Sequence, residues 1–182
     1  PDVKIRISNG PSAQVLSDMK EGRTDLAVIP TPFQIEKPYV SVRLRPFKSV
    51  LVGGPRFAHL CSTPMRLPDL KQYPLAGLSG STMSYRFYED FFAAHGLTLH
   101  YDIEMANADL LLPVAMHDLG LAFVPERLVA DALEQKKLFS IPLVEEIPLR
   151  HVCLVRDPGR PLGAATRCLL ELLMKERAPQ TE

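Results

Sequence analysis

The chain has 182 residues, 46% hydrophobic and 23% charged, which is enough length and apolar content for one large core or two smaller ones. Lys plus Arg equals Asp plus Glu at 21 each, so there is no electrostatic excess with which to hold a phosphate backbone, and this argues against direct nucleic-acid binding by the segment. Cys61, Cys153 and Cys168 are odd in number and widely spaced, which fits neither a disulfide framework nor a zinc site with paired ligands and points to a reducing, cytoplasmic compartment.

No apolar run approaches the roughly 20 residues of a membrane-spanning helix. The opening PDVKIRISNG is a strand pattern, not a charged segment followed by an apolar signal core. Its abruptness predicts a further N-terminal part.

Val3, Ile5 and Ile7 alternate with Lys4, Arg6 and Ser8, the period of a half-buried strand, and Asn9-Gly10-Pro11 breaks the alternation. Ser12 is the expected N-cap of a helix carrying Val15, Leu16 and Met19, with Gly22 just past its end. Leu26 to Ile29 reads as a short buried strand closed by Pro30. Strand, helix and strand in this order predict a right-handed crossover and a parallel pair, hence an α/β class. Val40–Leu44 and Lys48–Val52 are further strands separated by Arg45-Pro46, and Gly53-Gly54-Pro55 is taken as a lobe boundary.

The alternation then repeats. A short helix is expected at Leu67–Gln72, a strand at Leu75–Leu78, a helix at Ser84–His95 and a strand at Tyr101–Met105. Tyr85, Tyr88, Phe91 and Phe92 share one face of that helix, and Gly96 stops it. Asn107 is placed to cap a helix through Met116. Leu121–Val124 reads as a strand, and Pro125 falls in the first turn of a helix reaching Gln135. Strands at Phe139–Leu143 and Arg150–Val155 precede a last helix from Leu162 to Lys175. The 17 prolines fall mainly at element boundaries.

Three stretches, taken in order, carry a family resemblance. They are Met19-Lys20-Glu21-Gly22-Arg23-Thr24-Asp25-Leu26-Ala27-Val28, then Leu67-Pro68-Asp69-Leu70 before Tyr73-Pro74-Leu75, and Asp118-Leu119-Gly120-Leu121-Ala122-Phe123-Val124-Pro125. Together they resemble the effector-binding domain of LysR-type transcriptional regulators, over Pro1 to about Leu173. The resemblance implies a type 2 periplasmic-binding-protein-like fold: two Rossmann-like α/β lobes joined by two crossing strands, here near Lys48–Gly53 and Arg150–Val155. It implies a discontinuous lobe I of residues 1–52 plus 153–182 and a lobe II of residues 53–152. The family's N-terminal winged helix-turn-helix is absent from this sequence, as are the first strand and helix of lobe I. Promoter DNA would be reached only through that N-terminal part. The resemblance also implies a homodimer or tetramer.

Ligands of open α/β sheets sit outside the carboxyl ends of the strands, where helix N-termini offer free N–H groups and positive dipole ends that suit anions. The sequence offers Asn9-Gly10-Pro11-Ser12, Ser79-Gly80-Ser81-Thr82 after Leu78, Asn107, and Val124-Pro125. The family's effector contacts map onto the first two of these loops, the Pro30-Thr31 turn and the segment around Pro125. Ser12 and Asn107 are equally well read as plain caps. Ser79, Ser81 and Thr82 are denser than capping requires. Tyr85 is placed either to close over an effector or to pack in the core with Tyr88 and Phe92.

The bound molecule is expected to be a small anionic or polar metabolite held between the lobes, with no cofactor, no metal and no membrane contact. His59, His95, His100, His117 and His151 lack helix-borne zinc spacing. Gly77-Leu78-Ser79-Gly80-Ser81 has its second glycine one position early for a nucleophile elbow. Asp102 and Glu104 read as charges on an exposed strand face. Cys61 is expected to be exposed, Cys153 and Cys168 buried. The main alternative is a solute-binding protein of a transporter with the same fold; an enzyme on the scaffold, such as a prephenate-dehydratase-like lyase, lacks a compact acid-base set.

Overall fold

The computed structural model describes residues 3–175. In chain order the elements are α1 (Ser12–Lys20), β1 (Ala27–Pro30), β2 (Val40–Phe47), β3 (Ser49–Gly53), β4 (Leu75–Leu78), α2 (Met83–Ala94), β5 (Ile103–Met105), α3 (Leu111–Met116), β6 (Leu121–Pro125), α4 (Glu126–Glu134), β7 (Phe139–Ile141), β8 (Arg150–Arg156) and α5 (Ala164–Lys175). Short 3-10 segments occupy Pro55–Ser62, Leu67–Gln72 and Ala108–Leu110. The chain divides into two compact units, one of residues up to Pro46 and from Arg150 onward, the other Phe47–Leu149.

Four helices stop in the same way. After α1, Gly22 takes a positive φ of 74°, its N–H bonds the Met19 carbonyl and Arg23 N–H bonds that of Asp18, which satisfies carbonyls the helix leaves open. Gly96 does the same after α2. After α3 and α4 the left-handed position is held by Asp118 and Lys136, at φ 59° and 54°, where a side chain is strained.

The first unit holds a three-stranded sheet ordered β1-β8-β2, with β1 antiparallel to β8. Its core is Met19 from α1, Ala27 and Ile29 from β1, and Val155 from β8, with Val15, Leu16, Phe33, Ile35 and Tyr39 packed around them. Two expectations fail here. Residues 3–7 form no strand, and Val3, Ile5 and Ile7 are 59%, 68% and 89% exposed. The parallel crossover predicted from that strand is therefore absent: β1 pairs with a strand from far along the chain, in the opposite sense. Arg45-Pro46 also does not end a strand, since β2 runs through both to Phe47 as an edge strand, where a proline costs no ladder bond.

The second unit holds a five-stranded sheet ordered β5-β4-β6-β3-β7, with β4 parallel to β5 and β6, and β3 antiparallel to β6 and β7. Alternation along the strands sends Leu51, Leu75, Leu121, Phe123 and Ile141 to one face, where Tyr88, Phe91 and Phe92 of α2 cover them. The Tyr88 ring stacks on Phe123 with centroids 4.7 Å apart. Val52, Ala76, Met105, Ala122 and Val124 go to the other face, against Leu111 and Ala115 of α3 and Val129 of α4. Gly77 has no freedom to carry a side chain, because a Cβ there would stand 2.1 Å from the Tyr101 ring. Parallel β4, β5 and β6 with helices on both faces is the α/β arrangement expected from the sequence.

Candidate functional site

In the second unit the register collects the carboxyl ends of β4, β5, β6 and β7 at one sheet edge, together with the amino end of antiparallel β3. Leu78, Met105 and Pro125 end three of these strands, so the loops beginning at Ser79, Asn107 and Pro125 leave from the same edge. Ser79 N–H donates to the Met105 carbonyl at 2.9 Å and ties two of the loops together.

Each predicted polar side chain has a definable job. Thr82 is buried and is the N-cap of α2: its hydroxyl accepts from Tyr85 N–H at 3.1 Å and donates to the Ser79 carbonyl at 2.9 Å. Ser79 and Ser81, by contrast, stand with their hydroxyls 3.3 Å apart beside the first turn of α2, half-buried and exposed respectively, with Gly80 exposed between them. Two hydroxyls at the positive end of a 12-residue helix can donate to an anion or a hydroxylated molecule. Tyr85 lies in the first turn of α2 and packs edge-on to Tyr101 at 5.9 Å, beside the α2-face core. Asn107 caps the 3-10 segment after it, its Oδ1 accepting from Asp109 N–H at 3.0 Å.

Pro125 is the last residue of β6 and the N-cap of α4, not a residue of the helix's first turn as expected. It pairs with Ser49, and Glu126 N–H donates to the Lys48 carbonyl at 3.0 Å, so Ser49 and Pro125 are a non-hydrogen-bonded pair. The missing proline N–H therefore costs the ladder nothing.

In the first unit, Pro30 ends β1 and Thr31 is held at three points. Its N–H donates to the His151 carbonyl at 2.9 Å, its hydroxyl oxygen accepts from His151 N–H at 3.0 Å, and its carbonyl accepts from Arg150 Nε at 2.6 Å. The guanidinium of Arg150, only 4% exposed, thus fixes a loop at the carboxyl end of β1. Thr31 keeps a hydroxyl hydrogen to donate. Asn9, Gly10 and Pro11 are exposed and lead into α1, where Pro11 occupies the cap position and Ser12 is the first helical residue, so the N-cap expected at Ser12 is not formed.

Sequence reasoning passed over Ser49 and Arg150, since a serine or an arginine at the start of a strand carries no spacing signal. Asp102 is no part of this edge: its carboxylate accepts from Leu75 N–H at 2.9 Å at the amino end of β4. A shallow concavity of about 370 Å³ between the segments Pro55–Ser62 and Leu67–Gln72, lined by His59, Ser62, Asp69 and Tyr73, also lies toward that amino end. Cys153 is buried, and burial pushes its thiol up, as it does for half-buried Cys61. Cys168 is exposed, contrary to expectation, because α5 buries none of its residues. Among the described residues no group of three or more His, Cys, Asp or Glu is placed to hold a metal, and no helix is long and apolar enough to cross a membrane.

Comparison with known proteins matches residues 1–178 to the LysR substrate binding domain family. No curated protein matches in sequence. Among solved structures, the regulatory domain of Synechocystis PCC6803 CcmR in complex with 2-PG is similar with a TM-score of 0.77 at 12% identity, over 92% of this chain and 80% of that one. The effector binding domain of QuiR in complex with shikimate gives 0.76 at 15% identity, over 91% and 78%. The apo regulatory domain of HypT from Salmonella typhimurium gives 0.72 at 17%, over 91% and 78%. These likenesses establish the type 2 periplasmic-binding-protein-like fold with two α/β lobes.

Proposed function

Because the chain belongs to the LysR substrate binding domain family, we propose that it is the part of a cytoplasmic transcription regulator that takes up a small, anionic or polar metabolite and thereby alters transcription. It is a binding domain by family. The observation that carries the reading is the gathering of Ser79–Thr82, Asn107 and Pro125 at one carboxyl edge, with the hydroxyls of Ser79 and Ser81, 3.3 Å from each other, beside the α2 N-terminus. Hydroxyl donors and a helix dipole recognise oxygen-rich, negatively charged molecules, the chemistry of 2-PG and shikimate in the complexes of CcmR and QuiR.

Each lobe is read with its own effector-contacting residues: Ser79, Gly80, Ser81, Thr82, Tyr85, Asn107, Val124 and Pro125 in the second, and Pro30, Thr31 and the stretch Asn9–Ser12 in the first. Binding that favours one arrangement of the regulator over another is enough to change its output, and the size of the change is set by the difference in affinity. The regulator works as a dimer or tetramer and reaches promoter DNA through a separate N-terminal domain.

Thermal unfolding of the chain in the presence of shikimate, 2-PG and a set of small hydroxy and keto acids tests the reading. A ligand at 100 times its Kd stabilises by about 2.7 kcal/mol, which raises the midpoint by several degrees. The rise should shrink in Ser79→Ala with Ser81→Ala. A midpoint that no acid, amino acid or aromatic compound moves would remove the reading.

A further inference from the structure

A buried serine also stands at the carboxyl edge. Ser49 begins β3 and is 7% exposed, and its Oγ, fully enclosed, has no hydrogen-bond partner among the described residues. It is the one buried side-chain oxygen or nitrogen of the described residues in this condition. A hydroxyl withdrawn from water without a partner is costly, and native proteins rarely keep one without a use for it.

Its position follows from the register. Opposite residues of an antiparallel pair point to the same face, so Ser49 shares a face with Pro125 and, two residues along, with Leu51 and Phe123. That is the face covered by α2. The start of α2 follows directly from the carboxyl end of β4, at the same edge. Ser49 Oγ is therefore on the α2 side of the sheet, at the rim from which Ser79, Ser81 and Pro125 project.

Resting on the effector reading above, we infer that Ser49 is a specificity-determining residue of the second lobe: its hydroxyl forms a hydrogen bond with an oxygen of the bound metabolite, a hydroxyl or carboxylate oxygen, and stays unmatched in the free domain. The enclosure of the atom means that the bond forms in a water-poor setting after a side-chain adjustment at the rim. A buried hydrogen-bonding group discriminates strongly there, because a ligand lacking the matching oxygen leaves it unmatched. Ser79 and Ser81, half-buried and exposed and able to bond each other, pay no such penalty with a wrong ligand. The rim serines attract oxygen-rich molecules and Ser49 selects among them.

The test compares the unaltered 182-residue chain with Ser49→Ala and Ser49→Thr by calorimetric titration of shikimate, 2-PG and the same acid set, together with thermal midpoints without ligand. Ser49→Ala is expected to bind the best ligand about tenfold more weakly, the effect of one lost hydrogen bond. Ser49→Thr, which keeps the hydroxyl, is expected to recover most of that loss. The ligand-free midpoint of Ser49→Ala should equal or exceed that of the unaltered chain, since the removed hydroxyl was unmatched. Equal affinity of Ser49→Ala and the unaltered chain overturns this inference alone. A ligand-free midpoint lowered by several degrees also overturns it, by showing the hydroxyl bonded in the free domain. Absence of binding to the unaltered chain removes the effector reading and this inference with it.

Discussion

Arg23 reaches back across the end of α1 to hydrogen bond both Asp18 and Glu21, while Gln14 and Ser17 donate to the same two carboxylates. The Arg23 guanidinium is the largest influence on each acid and holds both below their ordinary values of 3.8 and 4.5. A carboxylate with a depressed folded value adds stability above its unfolded value and loses it as the pH falls through the folded one. The contribution is therefore complete at neutral pH and disappears only in acid below these ordinary values. In Arg23→Gln both carboxylates should titrate at higher pH than in the unaltered chain, as read by NMR of the side-chain carbonyl carbons. The groups are open to solvent, so the difference should shrink in high salt. Gly22 and Met19, both in the stretch that carries the family resemblance, belong to the same helix end. The conspicuous sequence signal there thus marks a stop and a core contact, while the charges beside it form a local surface cluster.

Helix ends show how far local reading reaches. Gly22 and Gly96 announced their stops, because glycine is the residue expected in a left-handed position. Asp118 and Lys136 fill the equivalent position without announcing it, and the ends of α3 and α4 were legible only from the loss of apolar spacing. Lys136→Gly should stabilise the chain by about 1 kcal/mol, measured by urea unfolding, because it removes the left-handed strain of a side chain while the bonds from Lys136 N–H and Lys137 N–H to the Leu133 and Ala132 carbonyls remain. The α2 helix was legible almost to the residue from Tyr85, Tyr88, Phe91 and Phe92, since a single aromatic face needs only one sheet to cover it. Residues 3–7 misled for the converse reason. Alternation states that a segment can be half-buried, but a strand needs a neighbour to bond, and no strand of the described residues pairs with it. In the site, the loops after Leu78, Met105 and Val124 were legible because strand ends are. Ser49 was not, because its meaning comes from Pro125, 76 positions away and opposite it in the ladder.

The two units differ in how much apolar surface they enclose. The second is sandwiched between two sets of buried side chains, one under α2 and one under α3 and α4, with Leu51, Leu67, Leu121, Leu138 and Ile141 almost wholly enclosed. The first has a smaller core of Met19, Ala27, Ile29 and Val155, with Leu44, Cys153 and Leu154 also buried on its sheet, and its α5 buries no residue. Resistance to local opening follows enclosed apolar contact. Backbone amides of β3, β4 and β6 should therefore exchange with deuterium much more slowly than those of β1 and α1, measured by native-state exchange. Equal protection in both would contradict this reading of the cores. The second unit is thus the more rigid and holds Ser79 and Ser81 in place, while the first yields more readily.

Val3, Ile5 and Ile7 leave three aliphatic side chains largely in water, interleaved in sequence with Lys4 and Arg6. Exposed aliphatic side chains outside any strand suit this stretch to stick to an apolar surface on another molecule. In concentrated preparations this stretch, not the hydroxyl-lined rim, is where clumping would start. A charge introduced at Ile5 is the mildest remedy, since the side chain it replaces already lies in water.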